Sequence, residues 1–196
     1  MPDDPTLDFY ARNAARYVAH GGDAPDPRLV AFVDELPEGA GILELGAGSG
    51  RDAAYMARRG MQVDATDASA ALAEEAEKRL GKPVRLLRFD QLEALETYDA
   101  VWACASLLHA PASELTGDLA RIFRALRPEG LFVASFKAGN GEGRDRFNRY
   151  YNYPDAETLL AHYRSAADWA FLSLDTVAGG GYDGQPTPWL WVTARK

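Results

Sequence analysis

The sequence has little that could cross-link the chain, bind a metal or enter a membrane. Its one cysteine, Cys104, excludes an internal disulfide and favours a reducing compartment. Its three histidines, at positions 20, 109 and 162, do not have the spacing of metal ligands, so we expect no metal site. The most apolar run, at 101–108, is far too short to span a bilayer.

Basic residues are scarce relative to acidic ones. The chain has 21 lysines and arginines against 29 aspartates and glutamates, a net charge of −8. Proteins that bind a phosphate backbone usually present a basic face, so we expect no nucleic acid partner. Residues 1–13 are acidic and lack the apolar stretch of a secretory signal. We expect a cytoplasmic protein with a small-molecule partner and no membrane partner, and the sequence predicts no particular oligomeric state.

Helical and strand patterns alternate along the first two thirds of the chain. Helical spacing predicts a first helix at 6–20, with Thr6 as its N-cap, and a second at 28–36. Buried strands are predicted at 41–45, 61–67, 83–89, 98–105 and 131–138. Helices are predicted between them at 50–59, 69–80 and 113–126. This alternation is typical of a parallel sheet with helices on both faces.

The last third of the chain has a different pattern. A polar, glycine-rich loop at 139–146 precedes an aromatic segment and a helix from Pro154. Two further strands, at 169–177 and 188–196, are joined by a loop too short for a crossover helix, so they are predicted to pair antiparallel. The sequence therefore predicts an α/β fold with a Rossmann-like, doubly wound, seven-stranded sheet that is mostly parallel with an antiparallel last strand.

The segment ILELGAGSGRDAA, at 42–54, places three glycines directly after the first strand. Ligands of open parallel sheets bind where strands end, and glycines let the backbone approach them closely. A dinucleotide fingerprint fits only in a shifted register with Gly48, Gly50 and Ala53, so an NAD(P)-dependent oxidoreductase stays an alternative, as does a purely structural turn. The sequence has no Tyr-x-x-x-Lys and no room after the sheet for a separate substrate domain, which disfavours the oxidoreductase.

Several segments, in order, resemble the class I S-adenosylmethionine-dependent methyltransferases. ELGAGSG (44–50) resembles the family's first motif, acidic-x-G-x-G-x-G, and Asp67 closes the second strand. YDAVWACASLLHA (98–110) resembles the fourth-strand motif, and 119–136 resembles the following helix and strand with their L-x-P-x-G turn. Residues 48–69 also resemble the small stand-alone methyltransferases related to the tellurite-resistance group. The resemblance implies methyl transfer from S-adenosylmethionine to a small molecule, which leaves S-adenosylhomocysteine.

The resemblance also implies which residues hold the cofactor. Glu44 would face the cationic methionine end, with capping of loop amides as its alternative role. Asp67 would bind the ribose hydroxyls, and it could also cap the helix that begins near Ser69. Asp90 would accept a hydrogen bond from the adenine, or be a solvated loop residue. The predicted cofactor-binding set further includes Gly46, Ala47, Gly48, Gly50, Ala68 and Gln91.

Five residues are assigned to the reactive end of the site. Cys104 would line the reactive end of the cofactor with its backbone, at the end of the fourth strand. Its thiol is expected to be a small buried apolar group and not a nucleophile. Tyr10 and Tyr17 would form a lid, because aromatic faces attract a sulfonium; ordinary helix packing is the alternative. His109 is the first candidate for a general base and Tyr151 the second. Their alternatives are a hydrogen bond to loop backbone for His109 and packing on the sheet for Tyr151.

We expect one methyltransferase domain over 1–196, with a helical lid at 1–36, a cofactor-binding core at 40–138 and a substrate side at 139–196. The sulfonium activates the methyl group before it binds, so the protein need only align the reactants and exclude water. A strong catalytic signature is therefore not required. A protein that binds the cofactor without performing chemistry is the alternative function.

Overall fold

The computed structural model describes residues 4–20, 22 and 24–196, so positions 1–3, 21 and 23 of the predicted lid lie outside the described residues. Six α-helices are found there: α1 Asp4–His20, α2 Pro27–Asp34, α3 Arg51–Arg58, α4 Ala70–Leu80, α5 Ala112–Ala125 and α6 Ala156–Ala166. The strands of that part of the chain are β1 Gly41–Leu45, β2 Gln62–Asp67, β3 Arg85–Leu86, β4 Tyr98–Ala103, β5 Leu126–Lys137, β6 Gly143–Arg144, β7 Tyr150–Tyr151, β8 Phe171–Gly180 and β9 Pro186–Arg195.

Seven of these strands form one sheet in the order β3-β2-β1-β4-β5-β9-β8. The strands β3, β2, β1, β4 and β5 run parallel to one another. Strand β9 runs antiparallel to both β5 and β8. The predicted doubly wound, mostly parallel sheet with an antiparallel last strand is therefore confirmed. Its order reverses between β1 and β4, and the carboxyl ends of those two strands are where a ligand site is expected.

The structure differs from the sequence prediction in three regions of the strands. β3 is shorter than the predicted 83–89, because it pairs only with Thr66 and Asp67 at the edge of the sheet. β5 begins earlier than predicted, because Leu126 already pairs with Tyr98 before the turn at 127–130 interrupts the register. The strands β6 and β7 form a small antiparallel hairpin that the sequence analysis described only as a loop and an aromatic segment.

Both faces of the main sheet are covered by apolar clusters. One cluster joins the strands to α5 and α6 and includes Phe132, Leu159 and Tyr163. The other joins them to α2 and α3 and is centred on Trp102, a buried aromatic that contacts Phe32. Burial on both faces explains why most residues of β4 and of the 131–136 part of β5 are apolar. In the described ranges of the chain, no helix is both long and apolar enough to cross a membrane.

Helix α1 packs against α4 through a separate small cluster that contains Tyr10, Ala14 and Leu72. The prediction that Thr6 caps this helix is wrong, because the helix already begins at Asp4. Thr6 is buried inside the first turns, where its hydroxyl accepts a hydrogen bond of 2.8 Å from the backbone N–H of Tyr150. This contact ties α1 to the β6–β7 hairpin.

Candidate active site

The glycine loop after β1 is held against the end of β2. The backbone N–H groups of Gly46 and Ala47 both donate to the carbonyl of Thr66, at 2.9 and 2.8 Å. Gly46 has φ +81°, and a Cβ added to it would lie 2.5 Å from the Cβ of Ser106. Only glycine fits this close approach, and its conformation is one that other residues adopt with strain. The loop therefore brings bare backbone to the carboxyl ends of β1 and β4.

Gly50 sets the start of α3 against α4. Its φ is +70°, and an added Cβ would lie 2.9 Å from the Cα of Ala76. The next residue, Arg51, donates to Asp52 at 2.8 Å, and Asp52 in turn accepts from the buried indole N–H of Trp102 at 3.0 Å. The first turn of α3 is thus tied to the core beneath the loop.

Asp67 joins the glycine loop to the start of α4. One carboxylate oxygen accepts from the backbone N–H of Gly48 and the other from that of Ser69, each at 2.8 Å. Ser69 is the N-cap residue of α4. Burial raises the pKa of Asp67, and the two backbone hydrogen bonds oppose the rise. Each carboxylate oxygen keeps a second lone pair, so the capping contact leaves room for a ribose hydroxyl.

Glu44 is buried behind the glycine loop with one carboxylate oxygen unpaired. The side chain is 3% exposed, and its Oε2 has no hydrogen-bond partner. Burial raises the pKa of Glu44 well above its usual range, and the nearby Asp52 and Asp67 add to the rise. An unpaired buried carboxylate oxygen is costly, and a cationic ligand group would remove that cost.

A cavity of about 830 Å³, including solvent at its mouth, opens between the glycine loop, α1 and α5. Eight predicted site residues line it: Tyr10, Tyr17, Gly46, Gly48, Asp67, Ala68, Asp90 and His109. Six others stand behind or beside the wall: Glu44, Ala47, Gly50, Gln91, Cys104 and Tyr151.

The part of the wall assigned to adenine is a short 3-10 turn after β3. Asp90 lines the cavity, but its carboxylate is held by the Arg88 guanidinium, with N–O distances of 3.1 and 3.3 Å. The hydrogen bond from Arg88 keeps the pKa of Asp90 below its usual value. The Gln91 side chain accepts from the backbone N–H of Arg88 at 3.2 Å. Phe89, between Arg88 and Asp90 in the sequence, also lines the cavity and offers an apolar ring on which a flat ligand ring could stack.

Cys104 packs into the core beside Trp102 and does not reach the cavity. Burial raises the pKa of its thiol to about 12, which suits a packing role. The next residue, Ala105, does line the cavity, with φ +52° and its N–H donated to the Ser135 hydroxyl at 2.8 Å. A non-glycine residue in this conformation often marks a functional strand end.

His109 lies in the cavity wall with both ring nitrogens engaged. Its Nδ1 lies 2.6 Å from the carbonyl oxygen of Tyr150, which can only accept, so this nitrogen carries the proton. Its Nε2 then accepts from the hydroxyl of Tyr10 at 2.9 Å. Burial lowers the pKa of His109 to about 4, the backbone bond opposes this, and the cation of Arg149 adds to it. The imidazole is therefore neutral at physiological pH, and its lone pair is already used.

Arg149 joins three parts of the chain above the site. Its guanidinium is 1% exposed and donates to Asp145 at 2.9 and 2.6 Å and to the Tyr10 hydroxyl at 3.3 Å. Five rings surround it within 6 Å of their centroids: Phe9, Tyr10, Phe147, Tyr151 and Tyr182. Tyr151 belongs to this cluster, where its ring also stacks on Tyr153 and contacts His109. These contacts are compatible with a packing role, and the role of Tyr151 as a general base stays a prediction.

Sequence reasoning missed eleven residues of the cavity wall: Thr6, Leu7, Leu72, Arg88, Phe89, Ala105, Ser106, Ala110, Pro111, Glu114 and Asp118. Phe89 and Ala105 are next to the predicted residues Asp90 and Cys104 in the sequence, and this position could have indicated them. The sequence offers no such indication for Glu114 and Asp118, because both occupy polar positions of an amphipathic helix. Over residues 4–20, 22 and 24–196, no group of three or more histidine, cysteine or acidic side chains could hold a metal ion.

Part of the chain matches a known protein family. Residues 42–130 match a family described as a methyltransferase domain. Among curated proteins, an S-adenosyl-L-methionine-dependent Diels-Alderase, iccD of Talaromyces variabilis, is 35% identical over 108 residues, which cover 50% of this chain and 36% of that protein. The chain thus spans only about a third of that relative's length.

Two solved structures are similar over nearly the whole chain. The first is a Burkholderia thailandensis 1,6-didemethyltoxoflavin-N1-methyltransferase with its substrate and S-adenosylhomocysteine bound; the TM-score is 0.76 at 25% identity, covering 98% of this chain and 88% of that one. The second is the [4+2]-cyclase SpnF, with a TM-score of 0.70 at 20% identity, covering 98% and 94% of the two chains. The second likeness concerns the fold alone.

Proposed function

We propose that the chain is a class I S-adenosylmethionine-dependent methyltransferase and that it transfers a methyl group from that cofactor to a small-molecule acceptor. The finer resemblance to the tellurite-resistance-related group stays a prediction. The net charge of −8 supports a small acceptor over nucleic acid, and we keep the cytoplasm as the proposed location.

The residues around the glycine loop fit the cofactor. The unpaired Oε2 of Glu44 offers a partner for a cationic amino group. The bare backbone of Gly46 and Gly48 leaves space at the strand ends, and Asp67 keeps lone pairs for hydroxyl donors. When bound, S-adenosylmethionine supplies a methyl group that is already activated on a sulfonium.

The state of His109 supports an acceptor that needs no deprotonation by the protein. Its Nε2 lone pair is held by the Tyr10 hydroxyl, and its pKa of about 4 makes it a weak base. We therefore propose that the acceptor atom brings its own free lone pair, as a neutral ring or amine nitrogen does. The solved relative at 25% identity is named as an N1-methyltransferase, which is consistent with a nitrogen acceptor. The protein's contribution is then alignment and exclusion of water.

Ligand-dependent unfolding tests the cofactor assignment. A ligand present at one hundred times its dissociation constant stabilises the fold by about 2.7 kcal/mol. For a chain of this size we expect the melting temperature to rise by about 5–10 °C. The expected result is a shift with S-adenosylmethionine and S-adenosylhomocysteine and none with NAD or NADP. A shift with a nicotinamide nucleotide alone would instead mean that Gly48, Gly50 and Ala53 form a dinucleotide-binding motif, as in an oxidoreductase.

A second candidate is a cofactor-bound protein that does not transfer the methyl group. The curated relative is named as an S-adenosyl-L-methionine-dependent Diels-Alderase, which is a cyclising enzyme. Mass spectrometry of reactions with heterocyclic nitrogen acceptors separates the two candidates. Methyl transfer predicts S-adenosylhomocysteine and a product heavier by one methylene. Tight cofactor binding with neither product, across acceptors of nitrogen, oxygen and sulfur, would favour the second candidate.

A further inference from the structure

A fully buried serine lies within the apolar part of strand β5. Ser135 stands between Ala134 and Phe136, and all three side chains are 0% exposed. A buried hydroxyl is costly unless it is hydrogen-bonded. This hydroxyl accepts from the backbone N–H of Ala105 at 2.8 Å and donates to the Cys104 Sγ at 3.7 Å. Both of its hydrogen bonds are therefore made with the end of the neighbouring strand β4.

The chain that follows β4 needs this contact because regular strand pairing has ended there. The last pair between β4 and β5 joins Ala103 to Ala134. Two residues later, Ala105 has φ +52°, a left-handed conformation that is strained for a residue with a Cβ. A strained residue keeps such a conformation only where its surroundings hold it in place. Here the Ser135 hydroxyl takes the N–H that the strand ladder no longer pairs.

The left-handed turn at Ala105 determines where the next residues lie in the site. Ser106 packs against the glycine loop so closely that a Cβ on Gly46 would lie 2.5 Å from the Cβ of Ser106. The carbonyl of Ser106 accepts from the N–H of His109 at 2.9 Å, within the 3-10 turn of the cavity wall. All four of these residues line the cavity. A relaxed conformation at Ala105 would therefore displace Ser106 from both the glycine loop and His109.

We propose, on the basis of the function proposed above, that Ser135 is a positioning residue for the cofactor. Through the N–H of Ala105 it holds the end of β4 in the strained conformation that keeps Ser106 against Gly46 in the wall of the site. Ser135 lies behind this wall and acts without touching a ligand, since Ala105 and Ser106 form the surface that faces the cavity. Glycine at position 105 would adopt the same conformation without strain, so it would make the hydroxyl unnecessary.

Titration calorimetry with S-adenosylhomocysteine tests the proposal. Ser135→Ala removes the acceptor of the Ala105 N–H, and we expect the affinity to fall about tenfold. Adding Ala105→Gly to Ser135→Ala should restore the affinity to within about threefold of wild type, because glycine reaches a positive φ at no steric cost. A purely packing role of Ser135 would not be repaired by a change at position 105. The matched control is Ser173→Ala on β8, which β9 and β5 separate from β4 and which should keep the wild-type affinity.

Amide hydrogen exchange at Ala105, followed by NMR, gives a measurement that needs no ligand. Exchange should be faster in Ser135→Ala than in wild type and unchanged in Ser173→Ala. Urea unfolding checks that each variant is folded in the titrations. Unchanged affinity in Ser135→Ala would overturn the proposal, and so would a loss of affinity that Ala105→Gly does not restore. Failure of the wild-type protein to bind S-adenosylhomocysteine would instead overturn the proposed function, while exchange at Ala105 would still show whether Ser135 holds the strand end.

Discussion

Acid should destabilise this protein through His109, and replacing that residue with glutamine should remove the effect. In the folded state the pKa of the imidazole is lowered from 6.5 to about 4. The physical cause is burial, together with a neighbouring arginine and an Nε2 that already accepts from Tyr10. Protonation of Nε2 would turn this acceptor into a donor beside a hydroxyl that already receives a bond from Arg149.

The magnitude follows from proton linkage. A histidine whose folded pKa is depressed costs nothing above the unfolded pKa, where both states are neutral. As the pH falls below 6.5 the unfolded chain takes up a proton first, and stability is lost until the folded pKa is reached. With pKa values of 6.5 and about 4, the loss between pH 7.5 and pH 4.5 is about 2.5 kcal/mol.

Urea unfolding at the two pH values measures this loss. The quantity of interest is the fall in unfolding free energy between pH 7.5 and 4.5 in the wild-type protein, minus the same fall in His109→Gln. This difference cancels the contributions of the carboxylates, and we expect it to be about 2.5 kcal/mol. His20→Gln, at the exposed end of α1, is the matched control for the substitution itself. An equal acid sensitivity in His109→Gln and wild type would refute the reasoning that the buried imidazole stays neutral.

Three further predictions concern the loop and the lid. Gly50→Ala should lower the unfolding free energy by about 1–3 kcal/mol more than Gly81→Ala in urea titrations, since both have positive φ but only the former adds a Cβ 2.9 Å from backbone. Asp67→Ala should weaken calorimetric S-adenosylhomocysteine binding by about 1.5–3 kcal/mol, and unchanged affinity in folded protein would remove the ribose assignment. Arg149→Met should lower the unfolding free energy by about 3–5 kcal/mol and speed amide exchange in α1, because the Asp145 side chain, 5% exposed, loses its cationic partner. Unchanged exchange would mean that the guanidinium does not hold α1 in place.

The part of the cavity wall around the glycine loop could be predicted, because the residues that form it are nearly consecutive in the sequence. A strand end, a glycine loop and a helix start within 41–51 fix where Gly46, Gly48 and Gly50 must lie. The spacing of strand ends then places Asp67 beside the loop, where it binds Gly48. Each of these contacts joins neighbouring elements of a βαβ unit, so local pattern and fold class together determine them.

The other half depends on contacts between distant segments, which a single sequence does not reveal. Arg149 meets Tyr10 across 139 positions, and it meets Tyr182 in the loop between β8 and β9. The sequence predicts His109 as a candidate base, but its charge state also depends on its hydrogen-bond partners Tyr10 and Tyr150, which the sequence does not reveal. Such partners are set by how the lid and the hairpin dock, and no periodicity predicts that geometry.

The role of Tyr10 and Tyr17 at the cofactor's sulfonium stays a prediction, and the ring of Tyr10 also lies next to a cation of the protein. Tyr10 was assigned to the cofactor's sulfonium, yet the Arg149 guanidinium already lies over its ring, with its carbon 5.8 Å from the centroid. Tyr17 stands nearer the loop, with a ring carbon 3.7 Å from where a Gly48 Cβ would be. A cation held under Tyr10 also disfavours a second positive charge there, which strengthens the neutral state of His109. Although this guanidinium is paired with Asp145, we expect it to favour a neutral over a cationic acceptor group next to Tyr10.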